Sequence, residues 1–116
     1  MNFVRTTGKT RFRRVVMDRL EGIRREHPGQ ATEFTLDRLC DLVQPKTREE
    51  LALTLGELIQ QGKIKQVIRV ESPKIPGAIK DFGSLNEVPQ FIHDWRTDRE
   101  IEVSPDDLVV LYVVPA

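Results

Sequence analysis

The sequence has few of the features that mark exported and membrane proteins. Its 116 residues include one cysteine, Cys40, so no internal disulfide can form and a disulfide-stapled secreted scaffold is excluded. The longest apolar run, Leu108 to Val114, is far shorter than the roughly 18 residues that a membrane-spanning helix requires. Met1 to Arg5 lead into no apolar signal-peptide core. We therefore expect a small soluble protein that is cytoplasmic and has no membrane partner.

The residue patterns of enzymes and metal sites are also lacking. The seven glycines are scattered and form no phosphate-binding loop. His27 and His93 have no cysteine or histidine at ligand spacing, and His93-Asp94 has no serine or cysteine motif beside it. Cys40 falls on the apolar face of a predicted helix and is expected in the core. We therefore expect no catalytic residue, no cofactor and no metal.

The formal net charge is zero, but the charges are distributed unevenly along the chain. Eighteen basic residues balance eighteen acidic ones. Residues 1–30 carry an excess of five positive charges and residues 63–80 an excess of four. Residues 31–62 carry an excess of three negative charges and residues 81–116 an excess of six. This segregation predicts separate basic and acidic surfaces, which bear on partners more than on the fold.

Apolar residues at helical spacing predict a first helix from Thr10 to His27. They recur at steps of four, four and three, which makes one stripe of an amphipathic helix. Pro28 and Gly29 end the helix, because proline has no amide hydrogen and glycine tolerates turn geometry. The stripe consists of Phe12, Val16, Leu20 and Ile23.

Two further helices are predicted from their capping signals. Residues 36–43 form the second, with Thr35 as its N-cap and Pro45 limiting its length. Residues 48–61 form the third, with a capping box that begins at Thr47 and Gly62 as a left-handed C-cap. The residues expected to be buried are Leu36, Leu39, Cys40 and Val43 in the second helix and Leu51, Leu55, Leu58 and Ile59 in the third.

After Gly62 the period of the apolar residues changes to two. Ile64, Ile68 and Val70 fall on one side of a half-buried strand. Residues 72–87, rich in proline and glycine, predict a loop.

The rest of the chain predicts a short helix and a hairpin. Residues 89–95 are expected to form a short helix or single turn, with Pro89 in its first turn. Residues 101–103 and 108–114 are expected to pair as a hairpin across the turn at Ser104-Pro105. The second of these strands is apolar on both faces and requires cover on both, from the helices and the Trp95 segment or from a second subunit.

Helix, short helix, turn, longer capped helix and strand, followed by a distant hairpin strand, resemble a winged helix-turn-helix domain. The resemblance covers about residues 10–72, with 108–114 as the return strand of the wing. It implies one α+β domain over residues 1–116: three N-terminal helices, then a small antiparallel sheet with a long inserted wing loop. Residues 73–100 exceed a simple wing and are expected to be an insertion with the short helix near 89–95.

The resemblance implies binding of double-stranded DNA, with transcription regulation as the corresponding role and residues 48–61 as the recognition-type helix in the major groove. On the outward face of that helix, Thr54, Gln60 and Gln61 would address base edges. Arg48 would address phosphate or guanine. The phosphate contacts expected on the first wing strand are Lys63, Lys65 and Arg69.

Structural explanations compete with these roles. Lys63, Lys65 and Arg69 are explained equally well as a solvated strand face that discourages edge pairing. Arg11, Arg13 and Arg14 are better explained as the polar side of the first helix than as an arm that binds phosphates.

A second function of a different class is a winged-helix module for protein–protein interaction or homodimerisation, without DNA binding. Glu50 and Glu57 on the outward face of the third helix favour it, because carboxylates weaken binding to phosphates. The neutral net charge and the acidic C-terminal block favour it too. Aromatic and apolar residues would form its contact surface: Phe91, Ile92, Trp95 and Tyr112. Phe91, Ile92 and Trp95 are more readily explained as a cap on the core.

Overall fold

The computed structural model describes residues 8–29, 32–72 and 74–115, which adopt an α+β fold with three α-helices and an antiparallel sheet. Of these described residues, those up to Lys65 together with 113–115 form one compact unit, and those from Gln66 to Tyr112 form a second. The elements are α1 (Gly8–Glu26), β1 (Thr32–Phe34), α2 (Leu36–Val43), α3 (Arg48–Gln60), β2 (Lys65–Glu71), β3 (Ala78–Phe82), β4 (Phe91–Asp94), β5 (Arg99–Glu102) and β6 (Leu108–Val114).

The three predicted helices are confirmed, and their ends follow from local capping. Thr35 Oγ1 accepts the Arg38 amide at 3.1 Å at the start of α2, and Thr47 Oγ1 accepts the Glu50 amide at 3.0 Å at the start of α3. These bonds satisfy amides that have no partner within the helix. Helix α1 begins two residues before the predicted Thr10 and ends at Glu26, just before Pro28.

The helices of the first unit contact one another in all three pairs and share one core. Each helix contributes buried residues from the apolar stripe that its sequence predicts. Some residues predicted to be buried are only half-buried: Phe12, Ile23, Leu36, Cys40, Val43 and Ile59. Excluding the buried residues from water is the main term that stabilises the unit. Its buried apolar residues are Val16, Leu20, Phe34, Leu39, Leu51, Leu55, Leu58, Ile64 and Val114.

The strands form a four-stranded sheet of order β1-β6-β2-β3 and a separate two-stranded sheet of β4 and β5. The strand predicted after Gly62 is confirmed as β2, and its predicted inward residues Ile64, Ile68 and Val70 are all buried. Strand β1 was not predicted, because three residues are too few to show a period.

The predictions for residues 72–103 are wrong in three respects. The expected loop at 72–87 contains β3, which pairs antiparallel with β2. The expected helix at 89–95 is strand β4, with alternating exposed and buried residues. Residues 101–103 do not pair with 108–114, because β5 pairs with β4, Ile92 opposite Ile101. The apolar spacing from Val88 to Trp95 fits a helix, but pairing with β5 holds residues 91–94 in an extended strand.

The second unit has a small core of its own. Val70, Ile79 and Ile92 are buried, and the half-buried residues packed against them are Phe82, Val88, Ile101, Val103 and Leu108. Residues 73–100 are therefore not a mere loop insertion, since β3 and β4 both contribute to this core.

Candidate nucleic-acid interface

Helix α3 begins with an arginine whose charge is balanced. The Arg48 guanidinium donates to the Asp37 carboxylate of α2, and this hydrogen bond raises the pKa of Arg48. Both side chains are exposed, so the pair is weak and exchangeable. Arg48 is at the surface, as the DNA-binding prediction requires, but Asp37 offsets its attraction for phosphate.

The prediction that Thr54 faces outward is wrong. Its side chain is 2% exposed, and its hydroxyl donates to the Glu50 carbonyl at 2.9 Å, one turn back along the helix. The buried stripe runs through Leu51, Thr54, Leu55 and Leu58, which is the spacing of three and four that a core-facing helix shows. That spacing was the signal in the sequence. Thr54 cannot reach a base.

The middle of the exposed face of α3 is apolar. Ala52, Leu53 and Gly56, which we call the α3 apolar strip, are all exposed, Leu53 to 70%. A side chain at Gly56 would meet no atom within 4 Å. None of the three can exchange a hydrogen bond with a base edge. The sequence prediction of polar DNA contacts did not include this strip, because its residues are apolar.

The C-terminal end of α3 carries four of the predicted contact residues. We call Gln60, Gln61, Lys63 and Lys65 the basic end of α3, and all four are exposed. Gly62, at φ +73°, turns the chain, and the Lys63 amide donates to the Leu58 carbonyl at 3.0 Å. This hydrogen bond fixes the backbone from which Gln61 and Lys63 extend.

Arg14 from α1 joins the basic end of α3. A groove of about 580 Å³ is lined by Arg14, Gln61 and Lys63, among others, and also by the acidic residues Asp18 and Glu21. Among the described residues no ion pair occupies Arg14, Lys63 or Lys65. The groove therefore places two arginines of α1 beside the end of α3, and one of them, Arg13, is paired with Glu57.

Glu57 does not oppose binding as strongly as its sequence position predicts. Its carboxylate lies 3.2 Å from Arg13 Nε of α1, and both side chains are mostly buried. The pair cancels one negative charge on α3 and one positive charge on α1. Arg11 is exposed on α1, whereas Arg5 lies outside the described residues.

Arg69 is in the second unit and is held by an acidic neighbour. Its Nε and Nη2 atoms donate to the two carboxylate oxygens of Asp81, at 2.8 and 3.0 Å. Asp81 lies opposite Arg69 on β3. This two-point contact ties up the guanidinium that the sequence assigned to phosphate.

The candidate interface residues fall into three environments. Phe91 and Trp95 are exposed, Trp95 to 65%, whereas Ile92 is buried in the core of the second unit. Tyr112 is half-buried, and burial raises the pKa of its hydroxyl. The core explanation is therefore correct for Ile92 and wrong for Phe91 and Trp95.

A buried ion pair that the sequence did not reveal fixes the turn after β4. Arg96 donates Nε and Nη2 to Asp94, each at 2.9 Å, and Nη1 to the Gly77 carbonyl at 3.0 Å. These hydrogen bonds hold the pKa of Asp94 below its usual value and raise that of Arg96. Trp95 donates its indole N–H to the Ala78 carbonyl at 3.2 Å. The turn is therefore tied to the start of β3.

The described residues were also compared with the requirements of a metal site and of a membrane-spanning helix. Across residues 8–29, 32–72 and 74–115, no three histidine, cysteine or acidic side chains are grouped as a metal would need. None of the helices formed by those residues has the length and apolar character to cross a membrane. Cys40 is a half-buried thiol.

Comparison with known proteins found no matching family model, no matching curated protein and no matching solved structure. Function has therefore to be inferred from the geometry and charge of the described residues.

Proposed function

We propose that this chain is a winged helix-turn-helix protein that binds duplex DNA through the basic end of α3. The element order α1, β1, α2, α3, β2 supports the fold, as does the position of β6 next to β2, where the return strand of a wing belongs. The observation that carries the function is the groove that groups exposed Gln61 and Lys63 with Arg14 of α1. Lys65, two residues further along the chain, is exposed as well.

The DNA-binding surface is centred on the C-terminal end of α3, not on the whole helix. Arg48 stands about 20 Å away at the other end, by the helical rise of 1.5 Å per residue, and is balanced by Asp37. Thr54 is buried. Gln60 and Gln61 are thus the residues able to read base edges, and the lysines hold phosphates.

Salt dependence of binding to a random-sequence duplex tests this proposal. Removal of one lysine that neutralises a phosphate should reduce the slope of log affinity against log salt by about one. The double variant Lys63→Ala/Lys65→Ala should therefore lower the slope by about two. The control, Lys74→Ala/Lys80→Ala, removes the same charge from exposed positions of the second unit and should leave the slope unchanged. Absence of binding at low salt, or equal effects of both double variants, would overturn the proposal.

One observation favours a second candidate, homodimerisation through the α3 apolar strip. An exposed leucine beside alanine and glycine permits close approach of another helix and gains stability from burial. Sedimentation equilibrium should then show self-association that Leu53→Glu abolishes. Leu85→Glu, at a leucine of the second unit that is also exposed, should have no effect. A monomer at every concentration would exclude this candidate.

A further inference from the structure

On the outer face of the β4–β5 hairpin, an aromatic ring lies opposite a glutamate at two successive positions. Phe91 lies opposite Glu102, and His93 lies opposite Glu100. All four side chains are exposed, whereas Ile92 on the other face is buried. Residues opposite one another in an antiparallel pair have Cβ atoms about 5 Å apart on the same face. Each ring therefore has a carboxylate beside it.

The charge on this face has one sign. Glu100 and Glu102 supply two carboxylates, and Asp98, which lies 3.0 Å from His93, supplies a third at its end. Arg99, the basic residue on β5, alternates with the glutamates and lies opposite Asp94 instead. The face is thus complementary to a cation and repels phosphate, so it is not a continuation of the DNA surface.

The spacing and the rings select the type of cation. Side chains on one face of a strand repeat about every 7 Å, and an extended peptide with basic residues at alternate positions repeats at the same distance. A guanidinium can lie flat on an aromatic ring while it forms two parallel hydrogen bonds to a carboxylate, whereas an ammonium group is not planar and has no such two-point fork.

We propose that the outer face of the β4–β5 hairpin binds an extended segment of a partner protein in which arginine occupies alternate positions. One arginine would stack on Phe91 and pair with Glu102. The next would contact His93 and pair with Glu100. Trp95, exposed two residues beyond His93, borders the face.

Fluorescence anisotropy of a labelled Arg-Thr-Arg-Thr-Arg-Thr peptide, with the full chain, tests the proposal. Micromolar binding is expected at about 0.1 M salt, where interactions beyond roughly 10 Å are screened. A peptide with lysine in place of arginine should bind more weakly, because it cannot make the two-point contact. The emission of Trp95, the single tryptophan of the chain, should change on binding.

Paired variants locate the peptide. Glu100→Gln/Glu102→Gln should weaken binding about tenfold or more, and Phe91→Ala about two- to fivefold because the cation–π interaction is removed. Glu26→Gln/Asp106→Asn removes two exposed carboxylates elsewhere and should leave affinity unchanged. Equal affinity of the glutamine variant and wild type, an equal effect of the control, or a preference for single-stranded oligonucleotide over the peptide would overturn the proposal.

Discussion

At the scale of the residue, Gly62 and Gly56 differ in what they contribute. Gly62 has φ +73°, a left-handed conformation that other residues adopt only at a cost. Gly56 lies within α3 with open space around it. Gly62→Ala should therefore destabilise the chain by about 1–2 kcal/mol, whereas Gly56→Ala should stabilise it by about 0.5–1 kcal/mol. Urea denaturation followed by circular dichroism measures both, and shifts of the same sign would contradict the assignment.

The buried position of Thr54 predicts what its replacement does. Valine has nearly the same shape and lacks the hydroxyl that bonds to the Glu50 carbonyl. Because that carbonyl keeps its helical geometry, Thr54→Val should leave folding intact and change DNA affinity less than about twofold. Gln61→Ala is the matched substitution at an exposed position and should weaken binding. A large decrease of DNA affinity in a folded Thr54→Val protein would contradict the conclusion that Thr54 makes no contact with DNA.

The ion pair between Asp94 and Arg96 makes the stability of the second unit vary with pH in the acid range. Arg96 lowers the pKa of Asp94 in the folded state below the usual 3.8. The ion pair therefore stabilises the fold fully above that value, and the contribution is lost as pH falls through the lowered pKa. The urea midpoint followed by Trp95 emission should be lower for Asp94→Asn at about pH 7, and the gap should narrow towards about pH 2.5. Asp106→Asn, at an exposed position, should follow wild type throughout.

At the scale of the element, the helices and the strands β2 and β6 could be predicted, whereas β1, β3 and β4 could not. Thr35, Thr47 and Gly62 act on amides and carbonyls within a few residues, so the sequence near each helix end contains the whole signal. Strand β4 depends on its pairing with β5, which no local spacing reveals. The position of residues along α3 was predictable from its buried stripe, but the ion pairs of Arg48 and Arg69 depend on Asp37 and Asp81, distant in sequence.

The core of α3 carries most of its stability, and Leu55 tests this. Leu55 is fully buried in the core of the first unit. Leu55→Ala should destabilise the first unit by about 2–5 kcal/mol, because it leaves a cavity. Leu53→Ala, on the exposed face, should change the unfolding free energy by less than about 0.5 kcal/mol. Denaturation monitored by circular dichroism of the helices gives both unfolding free energies. Equal effects of the two substitutions would contradict the assignment of Leu55 to the core and Leu53 to the exposed face.

At the scale of the whole molecule, the charges cancel although they are segregated. The isoelectric point is close to 6.7. With no net charge to keep molecules apart, solubility should be lowest near that pH and rise by about pH 8.5. Light scattering across this range measures it. Near that pH, molecules would attract one another through their oppositely charged blocks, the basic residues 1–30 and 63–80 of one and the acidic residues 81–116 of another. Added salt should suppress that association. A minimum far from the isoelectric point would show that apolar contacts dominate.

The position of β6 in the sheet has a consequence for synthesis on the ribosome. β6 separates β1 from β2, yet the chain reaches it only after residues 36–107 have been made. While the nascent chain lengthens, the hydrogen-bonding edges that β6 will cover on β1 and β2 are unoccupied, and such edges invite pairing with other chains. Translation that stalls before Leu108 should thus leave a polypeptide with formed helices and two open edges, a natural substrate for chaperones.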